Sequence, residues 1–184
     1  MRETRKRICG VDMEALDRCL RERMSAHRYE HTQSVLRMAL SMAKRFGENE
    51  DKTRLAALFH DYCKDSGAKD NNLLHGGQAS DILREEYGVD DADVLNAVRY
   101  HTTGRKGMSR LEMIVFLADT LEPGRTYEGV EILRDLAFKD LETGVLRVLK
   151  ELEVYLVKNG LAMTPDSVEA IEWLESRGKK EANG

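Results

Sequence analysis

The chain has 184 residues, 41% hydrophobic and 34% charged, with a net charge of −4; this fits one globular domain with its own core and excludes a disordered chain. No apolar run reaches the roughly 20 residues of a membrane span, and the basic N-terminus lacks the apolar stretch of a secretory leader. The acidic balance gives no field for nucleic acid, and Cys9, Cys19 and Cys63, odd in number and without paired short spacing, predict reduced thiols in a cytoplasmic protein.

With only two prolines, the apolar periodicity is free to be helical almost throughout, so the expected fold class is all-α. Residues 1–11 are expected to form a flexible tail, 12–176 one helical domain, and 177–184 a second tail. Asp12 caps a first helix with Met13, Leu16 and Leu20 on one face. A second runs from about Arg28 to Phe46 and stops at Gly47. The third, about Asp51 to Tyr62, turns Leu55, Leu58, Phe59 and Tyr62 inward, and its end delivers His60 and Asp61.

Lys64 to Asn72 reads as a loop from its Asp, Ser, Gly and Asn content. A fourth helix follows, from about Leu73 to Tyr87. The fifth begins at Asp90 or Asp91 and places Val94, Val98 and His101 on one face. Ser109 and Glu112 have capping-box spacing, so a sixth helix starts there and stays apolar nearly all round to Leu121, where Glu122-Pro-Gly breaks it. A short helix near Val130 to Phe138, a long one from Leu141 to Lys158, and a last one opened by Thr164-Pro165 complete the chain.

All five histidines, His27, His31, His60, His75 and His101, lie at the ends of apolar helical stretches or within them. Asp61 follows His60 directly, and Asp119 ends the run Met113 to Ala118. A carboxylate in such a run is costly to bury unless something positive meets it. His31, His60, Asp61 and Asp119, from three helices, offer two imidazoles and two carboxylates, a mixed set that suits iron, manganese or another octahedral divalent ion. Such an ion keeps about two positions open for water and a phosphate oxygen, and acidifies one while polarising the other. His75 and His101 are open to two readings: ligands of a second ion, or hydrogen-bond partners of phosphate, with His101 as imidazolium or general acid. No further buried carboxylate is evident for a second ion, which favours phosphate. Among the cations near His101, Arg105 is expected to reach phosphate; Arg125, just after the break that follows Asp119, is the better placed. A lone His-Asp pair would say little, because a buried histidine is often satisfied by a backbone carbonyl.

The order His31, His60-Asp61, Asp119 on successive helices resembles the HD superfamily of metal-dependent phosphohydrolases. Longer segments are similar to the bacterial YqeK-type symmetrical diadenosine tetraphosphate hydrolases: His27-Arg-Tyr-Glu-His-Thr32, Leu58-Phe-His-Asp-Tyr-Cys-Lys-Asp65, Leu73-Leu-His-Gly76, the stretch from Ala97 to Met108, and Phe116-Leu-Ala-Asp-Thr-Leu-Glu-Pro-Gly-Arg125. The similarity spans roughly residues 12 to 175. It implies an HD-type hydrolase domain over 12–176 that splits diadenosine tetraphosphate into two ADP, with one iron ion held by His31, His60, Asp61 and Asp119. Asp61 is then both ligand and orienter of the attacking water. His27, Lys64, His101, Arg125 and Tyr127 match or adjoin positions expected to contact phosphate or base. The chain departs from the family between Asp65 and His75, where nine residues stand in place of a longer insertion, and Gly77-Gln78-Ala79 continues the motif atypically; a more open pocket wall is expected. The partner is a small dinucleoside polyphosphate or nucleotide, with homodimerisation left open. Two other readings keep the same residues: a phosphohydrolase of another nucleotide or phosphate ester, and a non-catalytic nucleotide-binding protein with a structural metal.

Overall fold

The computed structural model describes residues 6–65 and 71–181. Within them, a short antiparallel hairpin, β1 (Arg7–Ile8) and β2 (Val11–Asp12), precedes nine helices. They are α1 (Met13–Arg23), α2 (Ala26–Phe46), α3 (Glu50–Phe59), α4 (Asn71–Glu85), α5 (Ala92–Arg99), α6 (Arg110–Leu121), α7 (Val130–Lys139), α8 (Leu141–Lys158) and α9 (Pro165–Glu181). The all-α expectation holds. Among the described residues no helix is long and apolar enough to cross a membrane.

Local chemistry sets most of the boundaries. Asp12 accepts from the backbone N–H groups of Glu14 and Ala15, and Asp91 from those of Asp93 and Val94. Gly47 ends α2 in the left-handed region at φ 68°. Ser109 and Glu112 close the expected capping box on α6. That helix is the axle of the fold: Leu111 to Ala118 are all buried, and α2, α3, α5, α7 and α8 pack around it.

The structure departs from expectation in two ways. The N-terminal tail gives way at residue 7 to the hairpin, whose turn residues Cys9 and Gly10 both have positive φ, 48° and 84°. Ile8 and Val11 are buried there and Lys6 pairs with Asp51 at 2.7 Å, so this segment is part of the core. The C-terminal helix likewise continues past the expected boundary at 176. Second, α3 and α5 stop earlier than the apolar spacing suggests. His60 and His101 therefore stand in the turns just beyond the two helices. Most of the expected loop from Lys64 to Asn72 lies outside the described residues; α4 begins within its last positions.

Candidate metal centre

Helix ends aim the histidines. The last carbonyls of a helix have no backbone partner within it, and two of them are used here. His60 Nδ1 donates to the Ala57 carbonyl at 2.7 Å and His101 Nδ1 to the Val98 carbonyl at 2.8 Å. Each bond leaves Nε2 facing inward. His60 is fully buried, and its Nε2 has no hydrogen-bond partner. An orphaned buried nitrogen is costly unless something unseen meets it.

What surrounds that nitrogen is a set of groups that could hold a metal ion. Asp61 Oδ2 lies 3.6 Å from it and Asp119 Oδ1 3.9 Å. His31 Nε2, from α2, is 3.0 Å from Asp119 Oδ1 and 3.9 Å from Asp61 Oδ2. The ligand atoms of His31, His60 and Asp119 all fall within 4.8 Å of one another, and so do those of His60, Asp61 and His101. The residues present fit a divalent ion: imidazole nitrogens and carboxylate oxygens, the donors such an ion takes, converge within a few ångströms.

On the other side of Asp61, Oδ1 is 3.1 Å from His75 Nε2 and 3.7 Å from His101 Nε2, and those two nitrogens are 2.9 Å apart. Thr102 Oγ1 lies 3.1 Å from His101 Nε2. Arg28 Nη1 donates to Asp61 Oδ2 at 2.7 Å, while Arg125 Nη2 reaches Asp119 Oδ1 at 3.3 Å. These contacts decide the electrostatics. Burial would raise Asp61, but the imidazoles of His60, His101 and His75 outweigh it and hold the carboxyl well below the usual range. Asp119 is held down in the same way, against its own burial, by His31, His60 and His101. Burial pushes the His60 imidazole down, which keeps it a neutral donor. For His31 and His101 the carboxylates overcome burial and push the imidazoles up.

The HD domain family matches residues 28–124, a span that runs from Arg28 through the candidate metal donors to Gly124. The chain belongs to the HD family. Its relatives include the protein named symmetrical bis(5'-nucleosyl)-tetraphosphatase of Bacillus subtilis, 35% identical over 86% of this chain and 95% of the relative. The protein of the same name from Halalkalibacterium halodurans is 37% identical over 79% and 87%. A crystal structure from Clostridium acetobutylicum, described as a predicted HD superfamily hydrolase involved in NAD metabolism, superposes with a TM-score of 0.82. It is 31% identical, and the match covers 91% of this chain and 98% of that one.

The other residues singled out in the sequence of this HD protein are placed unequally. His75 and His101 stand in the cluster. Arg125 and the exposed His27 line a groove of about 480 Å³ beside it, with His31, Arg37 and Glu122 in the same wall. Lys64 follows closely, its backbone N–H on the Asp61 carbonyl at 2.9 Å. Tyr127 is exposed and donates from its hydroxyl to the Thr120 carbonyl at 3.3 Å. Arg105 is not brought to the metal donors: its guanidinium is engaged by the buried Glu112, at 2.7 and 2.6 Å, so the capping-box acid already fills the fork meant for phosphate. Arg28 and Glu122 went unread in the sequence. Arg28 sits three residues before His31, on the turn of α2 below it, which is the only local signal it gives. Glu122 read merely as the residue that ends α6.

Proposed function

We propose that this HD protein hydrolyses diadenosine tetraphosphate symmetrically to two ADP, using a divalent ion held by His31, His60, Asp61 and Asp119. The observation that carries the chemistry is the buried His60 Nε2, partnerless and ringed by two carboxylates and a second imidazole. The substrate follows from relatives named symmetrical bis(5'-nucleosyl)-tetraphosphatase, to which most of this chain's length is similar. Iron is the assigned ion, with manganese as the alternative, because both accept mixed nitrogen and oxygen donors. When bound, the ion supplies acidification of a water and polarisation of a phosphoryl oxygen.

The chain's own residues do the rest. Water adds to one inner phosphorus and the bond from that atom to the central bridging oxygen breaks, so the water oxygen ends in one ADP and the bridging oxygen in the other. Asp61 holds the water in line through a carboxylate already fixed by Arg28 and His75. His101, whose Nδ1 is committed to Val98, has Nε2 as the atom that exchanges a proton with the reacting phosphate. Arg125 and His27 line the groove and steady the remaining phosphates. A net charge of −4 leaves nucleic acid out of the partner set. Cys9, Cys19 and Cys63, none of them in a disulfide, suit a cytoplasmic enzyme, acting alone or as a homodimer.

The test is a product assay on protein loaded with iron under anaerobic conditions. ADP as the sole nucleotide product, dependent on the ion, supports the reading. AMP with ATP, free phosphate, or turnover unaffected by chelation would refute it.

A further inference from the structure

His31 differs from His60 and His101 in how its ring is held. His60 and His101 follow helix ends and use carbonyls three residues earlier in their own chain. His31 lies inside α2, where the carbonyl three residues before it is committed to the helical ladder. Its Nδ1 needs an acceptor from elsewhere. Glu122 supplies one: Oε1 is 3.4 Å from His31 Nδ1, and the side chain is buried.

The carboxylate is itself gripped. Gly124 N–H donates to Oε2 at 2.6 Å, and Arg125 Nε stands 3.6 Å from Oε1. The turn that carries Glu122 is stapled by Arg134 of α7. Its Nε donates to the Leu121 carbonyl at 2.7 Å, and Nη2 to the carbonyls of Glu122 and Arg125, each at 2.8 Å. A Cβ on Gly124 would meet Oε2 at 2.9 Å and Oε1 at 3.0 Å, so the turn closes onto the carboxylate with no room to spare.

We propose that Glu122 is a positioning residue which holds His31 in the Nδ1–H tautomer, so that Nε2 presents its lone pair to the ion, and that Arg134 fixes the turn on which Glu122 and Arg125 both ride. This deepens the proposed function and rests on its metal site. Carboxylates that take the outer N–H of a ligating histidine act in this way generally.

The isostere separates this role from a merely structural one. Glu122→Gln keeps the shape but has one acceptor oxygen. The short Gly124 bond claims it, which turns the amide NH₂ toward His31 Nδ1 and favours the opposite tautomer, with Nε2 protonated. Purified, chelator-stripped protein is titrated with Mn²⁺, and the protonated nitrogen of His31 is read by imidazole ¹⁵N NMR on protein loaded with diamagnetic Zn²⁺, because without an ion Asp119, 3.0 Å from Nε2, draws a proton there itself. Glu122→Gln is expected to stay folded by circular dichroism, to shift His31 to Nε2–H, and to bind Mn²⁺ roughly 10–100-fold more weakly. Gly124→Ala, which crowds the same carboxylate, should lose affinity in the same direction by less. Wild-type affinity and an unchanged tautomer in Glu122→Gln would overturn the proposal. His60→Ala is the control: if it loses Mn²⁺ while Glu122→Gln does not, the positioning role alone fails. If His60→Ala binds as wild type does, the metal site itself is wrong.

Discussion

Replacing Gly76 by alanine tests whether the spacing of α4 and α5 sets the chemistry. Gly76 follows His75 on α4, and a Cβ built there would lie 2.6 Å from the Arg99 carbonyl oxygen and 2.9 Å from that of Val98. The second of these is the carbonyl that accepts from His101. Both obstacles are backbone, so the helices themselves must part. Reaching 3.4 Å, where ordinary contact begins, takes about 0.8 Å of separation. Alanine returns about 1 kcal/mol of helix propensity, against about 1–3 kcal/mol for an overpacked contact. The net loss is about 0–2 kcal/mol, a fall of no more than about 8 °C in Tm. The site suffers more. A shift of that size takes the 2.9 Å His75–His101 contact and the 3.1 Å His75–Asp61 contact out of hydrogen-bonding range, and a misplacement near 1 Å costs about 100-fold in rate. Gly77→Ala is the control, because its Cβ would meet only the tip of the Arg99 side chain, at 3.3 Å. Turnover and Tm of both variants decide the matter. A Gly76→Ala protein that melts higher and turns over normally would refute the reasoning.

His60→Ala and Asp61→Ala are each expected to lose bound metal and turnover with near-native helical content, as measured by elemental analysis and circular dichroism; full metal-dependent turnover in either would show the site is misplaced. Arg125→Ala should keep the ion and lower kcat/KM by about 1.5–3 kcal/mol, as for a lost charge-assisted hydrogen bond; loss of the ion instead would make Arg125 a prop of Asp119 rather than a phosphate contact. The ion-free protein should lose stability as pH rises. His31 and His101 are both raised above their ordinary 6.5, burial notwithstanding, by Asp119 and Asp61, so their contribution is complete below about 6.5 and vanishes as pH passes their folded values. The lowered His60 works the other way, losing stability below its ordinary value. Metal binding needs the His31 and His60 rings neutral, so the gain in Tm on adding the ion should grow from about pH 6 to 9. A gain that shrinks over that range would contradict the assignment.

The caps were legible because they act within one turn of the chain: Asp12, Asp91, Gly47 and the Ser109–Glu112 box each set a boundary from neighbours two to four residues away. The candidate ligands were legible too, since a carboxylate at the end of an apolar run and a His-Asp pair at a helix end are local anomalies. What meets those charges was not. In this structure Asp119 is answered by His31 and Arg125, and Asp61 by Arg28 and His75, so ion-free carboxylates are less exposed to the cost of burial than the apolar run alone suggests. The early ends of α3 and α5 depend on imidazoles competing for terminal carbonyls, which apolar spacing does not encode. Ile8 and Val11 looked like tail residues until the core offered them a surface. Arg105 looked free until Glu112, seven residues on, turned back to it. Glu122 and His31 lie 91 residues apart, and only the packing of α2 against α6 brings them together. Sequence by itself determined the helices, their caps and the donor atoms; the tertiary structure alone decided which donors share a site, because hydrogen bonds reach about 3 Å and the chain distances they bridge are set by how helices pack.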